Sequence, residues 1–136
     1  MKRLAVWCVL TGAVSAAPML RLSNSVVTVE APLGGNPNNQ FVSWSNAGDG
    51  TLSLSFSISP TVSWLAVSAA GPTGCSSCIQ FTFNTANLQA GNYTARVTVS
   101  DPNAVDSPQV VIVTAFIGVV RRWHQRKLRR CSQSPV

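Results

Sequence analysis

Leu88-Gln-Ala-Gly-Asn-Tyr-Thr-Ala-Arg-Val-Thr-Val-Ser100 sets a glycine turn ahead of a strictly alternating run. Tyr93, Ala95, Val97 and Val99 fall on one side of an extended chain. Thr94, Arg96 and Thr98 fall on the other. Period-two alternation of apolar and polar residues marks a strand with one buried and one wet face. The same pattern recurs through the middle of the chain, and no helical periodicity interrupts it.

Working outward, Leu20 to Ala31 contains a first strand, with Val26, Val27 and Val29 as its apolar residues. The loop Leu33-Gly-Gly-Asn-Pro-Asn-Asn39 is rich in turn formers. Gln40 to Asn46 reads as the second strand, with Val42 and Trp44 facing inward and Phe41 outward. Ala47-Gly-Asp-Gly50 is a tight turn. Leu52, Leu54, Phe56 and Ile58 form the inward row of a third strand, opposite Thr51, Ser53, Ser55 and Ser57. A short strand follows over 62–67 around Trp64, which reads as a core anchor. Ile79, Phe81 and Phe83 form the next buried row. The last strand runs from Gln109 to about Ile117. About seven short strands separated by turn signals predict an all-β, immunoglobulin-like β-sandwich, with the buried rows lining its two inner faces.

Charge is distributed unevenly. The formal net charge of the 136 residues is +6, yet six cations crowd the end, from Arg121 to Arg130. Between Ala17 and Val120 the charges are Arg21 and Arg96 against Glu30, Asp49, Asp101 and Asp106. A reader of nucleic acid carries positive charge on its folded surface, so nucleic acid is not an expected partner. Residues 121–136 form a basic tail with the composition of a disordered segment.

Residues 1–16 read as a secretory signal. Lys2 and Arg3 supply the positive end, Leu4 to Val14 the apolar stretch, and Val14-Ser15-Ala16 the small-residue cleavage box. Ser15-Ala16-Ala17 is a competing box that leaves Pro18 after the cut. A buried N-terminal strand or helix is the other reading of this segment. Export predicts a secreted, periplasmic or cell-envelope protein. Val110 to Val120 followed by arginines resembles a membrane span. It is only 11 residues long, against the roughly 20 a bilayer requires, so a fully buried closing strand is expected and no stable span.

Removing the signal removes Cys8 and leaves Cys75, Cys78 and Cys131. In an oxidising compartment Cys75-Ser-Ser-Cys78 is expected to close a small disulfide, with a free cysteine pair as the other reading. A redox motif requires a helix after the pair, and here a strand follows. His124 is the only histidine and lies in the tail. The four acids are scattered over turns without the paired spacing that glycoside hydrolysis needs. No enzyme activity, cofactor or metal is therefore expected. Asp101-Pro-Asn103 with Asp106 is a weak calcium candidate beside the plainer reading of a solvated turn. Asn92-Tyr-Thr94 is a glycosylation sequon.

Three stretches together resemble the BACON family. They are Gln40-Phe-Val-Ser-Trp-Ser-Asn-Ala-Gly-Asp-Gly-Thr-Leu52, Ser63-Trp-Leu-Ala-Val-Ser-Ala-Ala-Gly-Pro-Thr-Gly74, and the opening Leu88–Ser100 segment. Asp106-Ser-Pro-Gln-Val110 resembles that family's entry to its final strand. The resemblance covers roughly Leu20 to Ile117. It implies an immunoglobulin-like module of residues 17–120 from a larger bacterial extracellular protein, with carbohydrate or mucin as the ligand class. A structural spacer or adhesion module with no ligand of its own is the alternative. Sugar recognition favours an exposed aromatic beside amides, since most ligand sites pair apolar surface with a few placed polar groups. Phe41 with Gln40, Asn38 and Asn39 is the expected ligand-binding set, and the 47–50 turn and the loop from Asn36 to Asn39 are the expected sources of polar neighbours.

Overall fold

The computed structural model describes Gly12, residues 15–71 and residues 73–118. Most of the segment that reads as a secretory signal, the basic tail, His124 and Cys131 lie outside them. Eight strands form: β1 Leu20–Leu22, β2 Val26–Ala31, β3 Gln40–Asn46, β4 Ser55–Ser59, β5 Leu65–Ser68, β6 Cys78–Phe83, β7 Gly91–Ser100 and β8 Gln109–Ile117. Two four-stranded sheets result, ordered β1-β3-β6-β5 and β2-β8-β7-β4. All ladders are antiparallel except β2 on β8. The strand order is that of an immunoglobulin-type sandwich, so the predicted fold class holds.

The expected first strand is split in two. Ser23 is bound to sheet one, its N–H donating to the Ser43 carbonyl at 2.9 Å. The Ser25 carbonyl accepts from Ile112 N–H of sheet two, also at 2.9 Å. The three residues Ser23-Asn24-Ser25 carry the chain across the open side of the sandwich, which accounts for the eighth strand.

The inner rows are those the alternation predicts. Val42, Ile79, Phe81, Phe83 and Leu65 of sheet one meet Val27, Val29, Ala95, Val97, Val99, Val111, Val113, Ala115 and Ile117 of sheet two, and all are buried. Apolar burial stabilises at about 25 cal/mol per Å², so this double row is the main source of the fold's stability. Trp64 is buried at the start of β5. Its ring meets Tyr93 edge to face, with centroids 6.3 Å apart. The Tyr93 hydroxyl donates to the Gln89 carbonyl at 3.0 Å. That bond closes the corner before β7 in the manner known from such sandwiches.

Three expectations need correction. The third strand begins at Ser55 rather than Thr51, although Leu52 and Leu54 still pack against the core. The ladder stops because Asp101 takes the Ser53 N–H with its carboxylate, and Pro102 follows with no N–H to offer. The strand expected around Trp64 begins only at Leu65. The closing strand is not buried on both sides: Val111, Val113, Ala115 and Ile117 are buried, whereas Ile112, Thr114 and Phe116 are half-buried and Val110 is exposed.

Candidate functional site

Strand parity separates the residues expected to act together. Phe41 projects from the outer face of sheet one and is 39% exposed. Gln40, next in the chain, belongs to the opposite face, in register with buried Phe81. Its amide donates to the Asn38 carbonyl at 3.2 Å. Adjacent residues of a strand point to opposite sides, so Gln40 does not share a surface with Phe41. Asn38 and Asn39 are exposed in the loop just before β3. Asn36 is structural instead: its Oδ1 accepts from the N–H of Thr85 at 2.7 Å and of Ala86 at 2.9 Å.

The neighbours of Phe41 come from other strands. Gln80 of β6 is its cross-strand partner, and Ser68 of β5 is in turn paired with Gln80. Directly opposed residues share one face, so Phe41, Gln80 and Ser68 form a row across three strands. The Gln80 amide also donates to the Thr82 hydroxyl at 3.3 Å. An apolar ring therefore stands beside an amide and two hydroxyls. The strands of sheet one contain no Asp or Glu, and Arg21 on β1 is their only charge.

One end of this face is covered by the loop before β6. Cys75 and Cys78 are joined by a disulfide, their Cα atoms 5.7 Å apart. Cys78 has the outward parity of Gln80 yet is buried, because the loop folds over it. Gly71 allows this closeness: a Cβ there would lie 2.6 Å from the Cys75 carbonyl oxygen and 2.7 Å from the Cys78 Cβ. The cross-link thus holds a wall of backbone over the row next to Phe41 and Gln80.

Asp101 and Asp106 are occupied with structural work at this same end of the sandwich. Asp101, expected in a solvated turn, is only 2% exposed. Its carboxylate accepts from the N–H groups of Ser53, Asn103 and Ala104, the last two at 2.7 and 3.1 Å. These bonds, Ser53's first, hold its carboxyl below the ordinary 3.8 against the raising effect of burial. Asp106 accepts from the Leu20 N–H at 2.7 Å, and the Gln109 amide donates to the Leu20 carbonyl at 2.7 Å. Among the described residues no three His, Cys, Asp or Glu side chains gather as metal ligands. The N-terminal segment lies against this end. Asn46 Oδ1 accepts from Met19 N–H at 2.9 Å, and Gly48 leaves room for the Ala17 carbonyl, which a Cβ would meet at 2.1 Å.

No protein-family model matches the chain, and no curated protein matches it. Solved structures do. Protocadherin gamma B7 extracellular cadherin domains 1–4 align with a TM-score of 0.50 and 14% identity, over 75% of this chain and 25% of theirs. A nucleoside hydrolase-related hypothetical protein from Saccharophagus degradans, described as associated with carbohydrate metabolism, aligns at a TM-score of 0.38 and 15% identity. That match covers 76% of this chain and 26% of the other. The chain spans about a quarter of either protein. The first likeness establishes a cadherin- and immunoglobulin-like sandwich, and at such identity it establishes the fold alone.

Proposed function

We propose that the chain is an exported, non-catalytic BACON-like module that binds carbohydrate on the outer face of sheet one. One observation carries this reading. Phe41 is the only exposed aromatic among the described residues, and it stands in a row with Gln80 and Ser68. The ring offers an apolar platform to the C–H face of a pyranose. Gln80 supplies an amide donor and acceptor, and Ser68 and Thr82 supply hydroxyls. The disulfide-held loop borders the platform and limits how a chain of sugars lies across it. A strand face is shallow and excludes little water, so single-site binding is weak and depends on repeated ligands. Binding without turnover suits this surface, because its strands carry no carboxylate to serve as acid or nucleophile.

The test is retention of the folded protein on polysaccharide and mucin surfaces. Wild type is retained; Phe41→Ala is not, and Gln80→Ala is retained less. Folded wild type that is retained on no such surface would establish the spacer reading instead.

A further inference from the structure

The wall beside the Phe41 row has one covalent fastening and little else. Strands β5 and β6 are antiparallel neighbours, and Ser68 with Gln80 is their last pair. The chain between them is a hairpin connection well beyond the usual length of about two to five residues. Its β6 end is anchored in sheet one. Cys78 is in register with Ser43, and the Ser77 carbonyl accepts from the Trp44 N–H at 2.9 Å. The rest is not anchored. Among the described residues, no hydrogen bond or ion pair ties 69–71 or 73–76 to either sheet. Ala69, Ala70, Thr73, Gly74 and Ser76 are exposed, and no side chain of this stretch belongs to the hydrophobic core.

What lays the loop back over the outer face is the Cys75–Cys78 disulfide. Gly71 packs on those two cysteines, so this contact depends on the same link. A segment with few partners has little free energy holding it closed, and here a covalent bond stands in for them. The position is what gives the link its consequence. Cys78 lies across from Ser43 and two residues from Gln80, so the loop stands directly beside the Phe41–Gln80–Ser68 row.

We propose that formation of this disulfide switches on the glycan-binding face, and that the reduced chain binds weakly; this rests on the glycan reading above. In a reducing compartment Cys75 and Cys78 remain thiols and the loop stands open. In an oxidising one, a disulfide donor closes it by exchange. The Cys75 thiolate attacks one donor sulfur, and the other donor sulfur leaves and takes up a proton. The Cys78 thiolate then attacks the Cys75 sulfur of the mixed disulfide and expels the second donor thiol. Overall the two cysteines lose two electrons and two protons, and the donor disulfide gains both. The pair is the object of this chemistry and not its catalyst, because no helix N-terminus follows it to activate a thiol. A wall closed before the ligand arrives spares binding the cost of ordering the loop.

Two measurements on the full chain test the switch. The first needs no glycan. In Cys75→Ser, a change at a half-exposed position, the Cys78 thiol is treated with an alkylating agent and the modified peptide is located by mass. An open loop lets Cys78 react within about tenfold of its rate in the denatured chain. Slower reaction means that packing closes the loop without the link, and overturns the proposal. The second is retention on polysaccharide and mucin surfaces. Reduction of wild type weakens it by at least about tenfold, and reoxidation restores it. Cys75→Ser is retained as weakly as reduced wild type, with or without reductant. A cooperative thermal melt verifies that each form is folded. Equal retention of oxidised and reduced wild type overturns the switch and leaves the glycan reading standing. A reductant response that persists in Cys75→Ser overturns it too, by assigning the effect to another cysteine. Oxidised wild type retained on no surface overturns the glycan reading itself, and the switch with it.

Discussion

The two outer faces of this sandwich cover the same kind of core with opposite surfaces. Sheet one presents a single aromatic, Phe41, among hydroxyls and the Gln80 amide, with a disulfide-held loop at its border. Sheet two presents a strip of aliphatic residues and Phe116, framed by Glu30 and Arg96. Their inner faces are equivalent in chemistry, so folding alone does not demand the difference. A lone ring with polar neighbours suits a small polar ligand with one apolar side.

The sharpest way to break the comparison is to destroy what both faces rest on. Trp64→Ala removes a buried anchor that touches Tyr93 of the opposite sheet. Losses of this kind are about 3–5 kcal/mol, a large share of a domain's total of about 5–15 kcal/mol. Chemical denaturation should show that loss. A stability unchanged by the substitution would move Trp64 to the list of surface ligand residues.

Asp101 comes next, because it ties the link before β4 to the end of β7. Its carboxyl titrates lower in the folded than in the unfolded state. Its contribution is therefore complete above the unfolded value near 4, and is lost as pH falls through the lower folded value. Melting temperature followed from pH 7 to pH 2 should decline over that acid range. Asp101→Asn should lower it at neutral pH and flatten the decline. An unaltered acid profile in the variant would assign the pH dependence to other groups.

Tyr93→Phe is milder. It deletes the hydroxyl bond to the Gln89 carbonyl while keeping the ring against Trp64. Equilibrium unfolding should register a loss of about 1 kcal/mol, typical of one hydrogen bond.

The smallest effects on stability sharpen the comparison most. Phe41→Ala and Val110→Ser alter one outer face each and should change stability by no more than about 0.5 kcal/mol. Phe41→Ala should abolish glycan retention; Val110→Ser, on the opposite sheet, should leave it intact. Loss of retention in Val110→Ser would show that the two faces do not act independently.

Periodicity is a local property, and what depends on it was legible in the chain. The alternation from Tyr93 to Val99 marks a half-buried strand wherever that strand lies. Residue spacing alone turned Phe41 outward and Val42 inward, and the same parity sets Gln40 against Phe41. The apolar run over 110–117 reads as strand, but run length cannot say that only one of its faces is covered. That depends on what packs against it. Neighbourhood across strands is a matter of register, which turns and distant loops decide. Gln80 and Ser68 join Phe41 because β6 pairs with both β3 and β5. Asp101 is buried because the link before β4, remote in sequence, presents the Ser53 N–H to it. The division of the first strand likewise depends on Ser23 and Ser25 finding partners in different sheets. The chain by itself determined which residues face the core, because side-chain direction follows from backbone geometry at each residue. Only the tertiary structure decided which outward residues meet, because hydrogen bonds between strands far apart in sequence set that alignment.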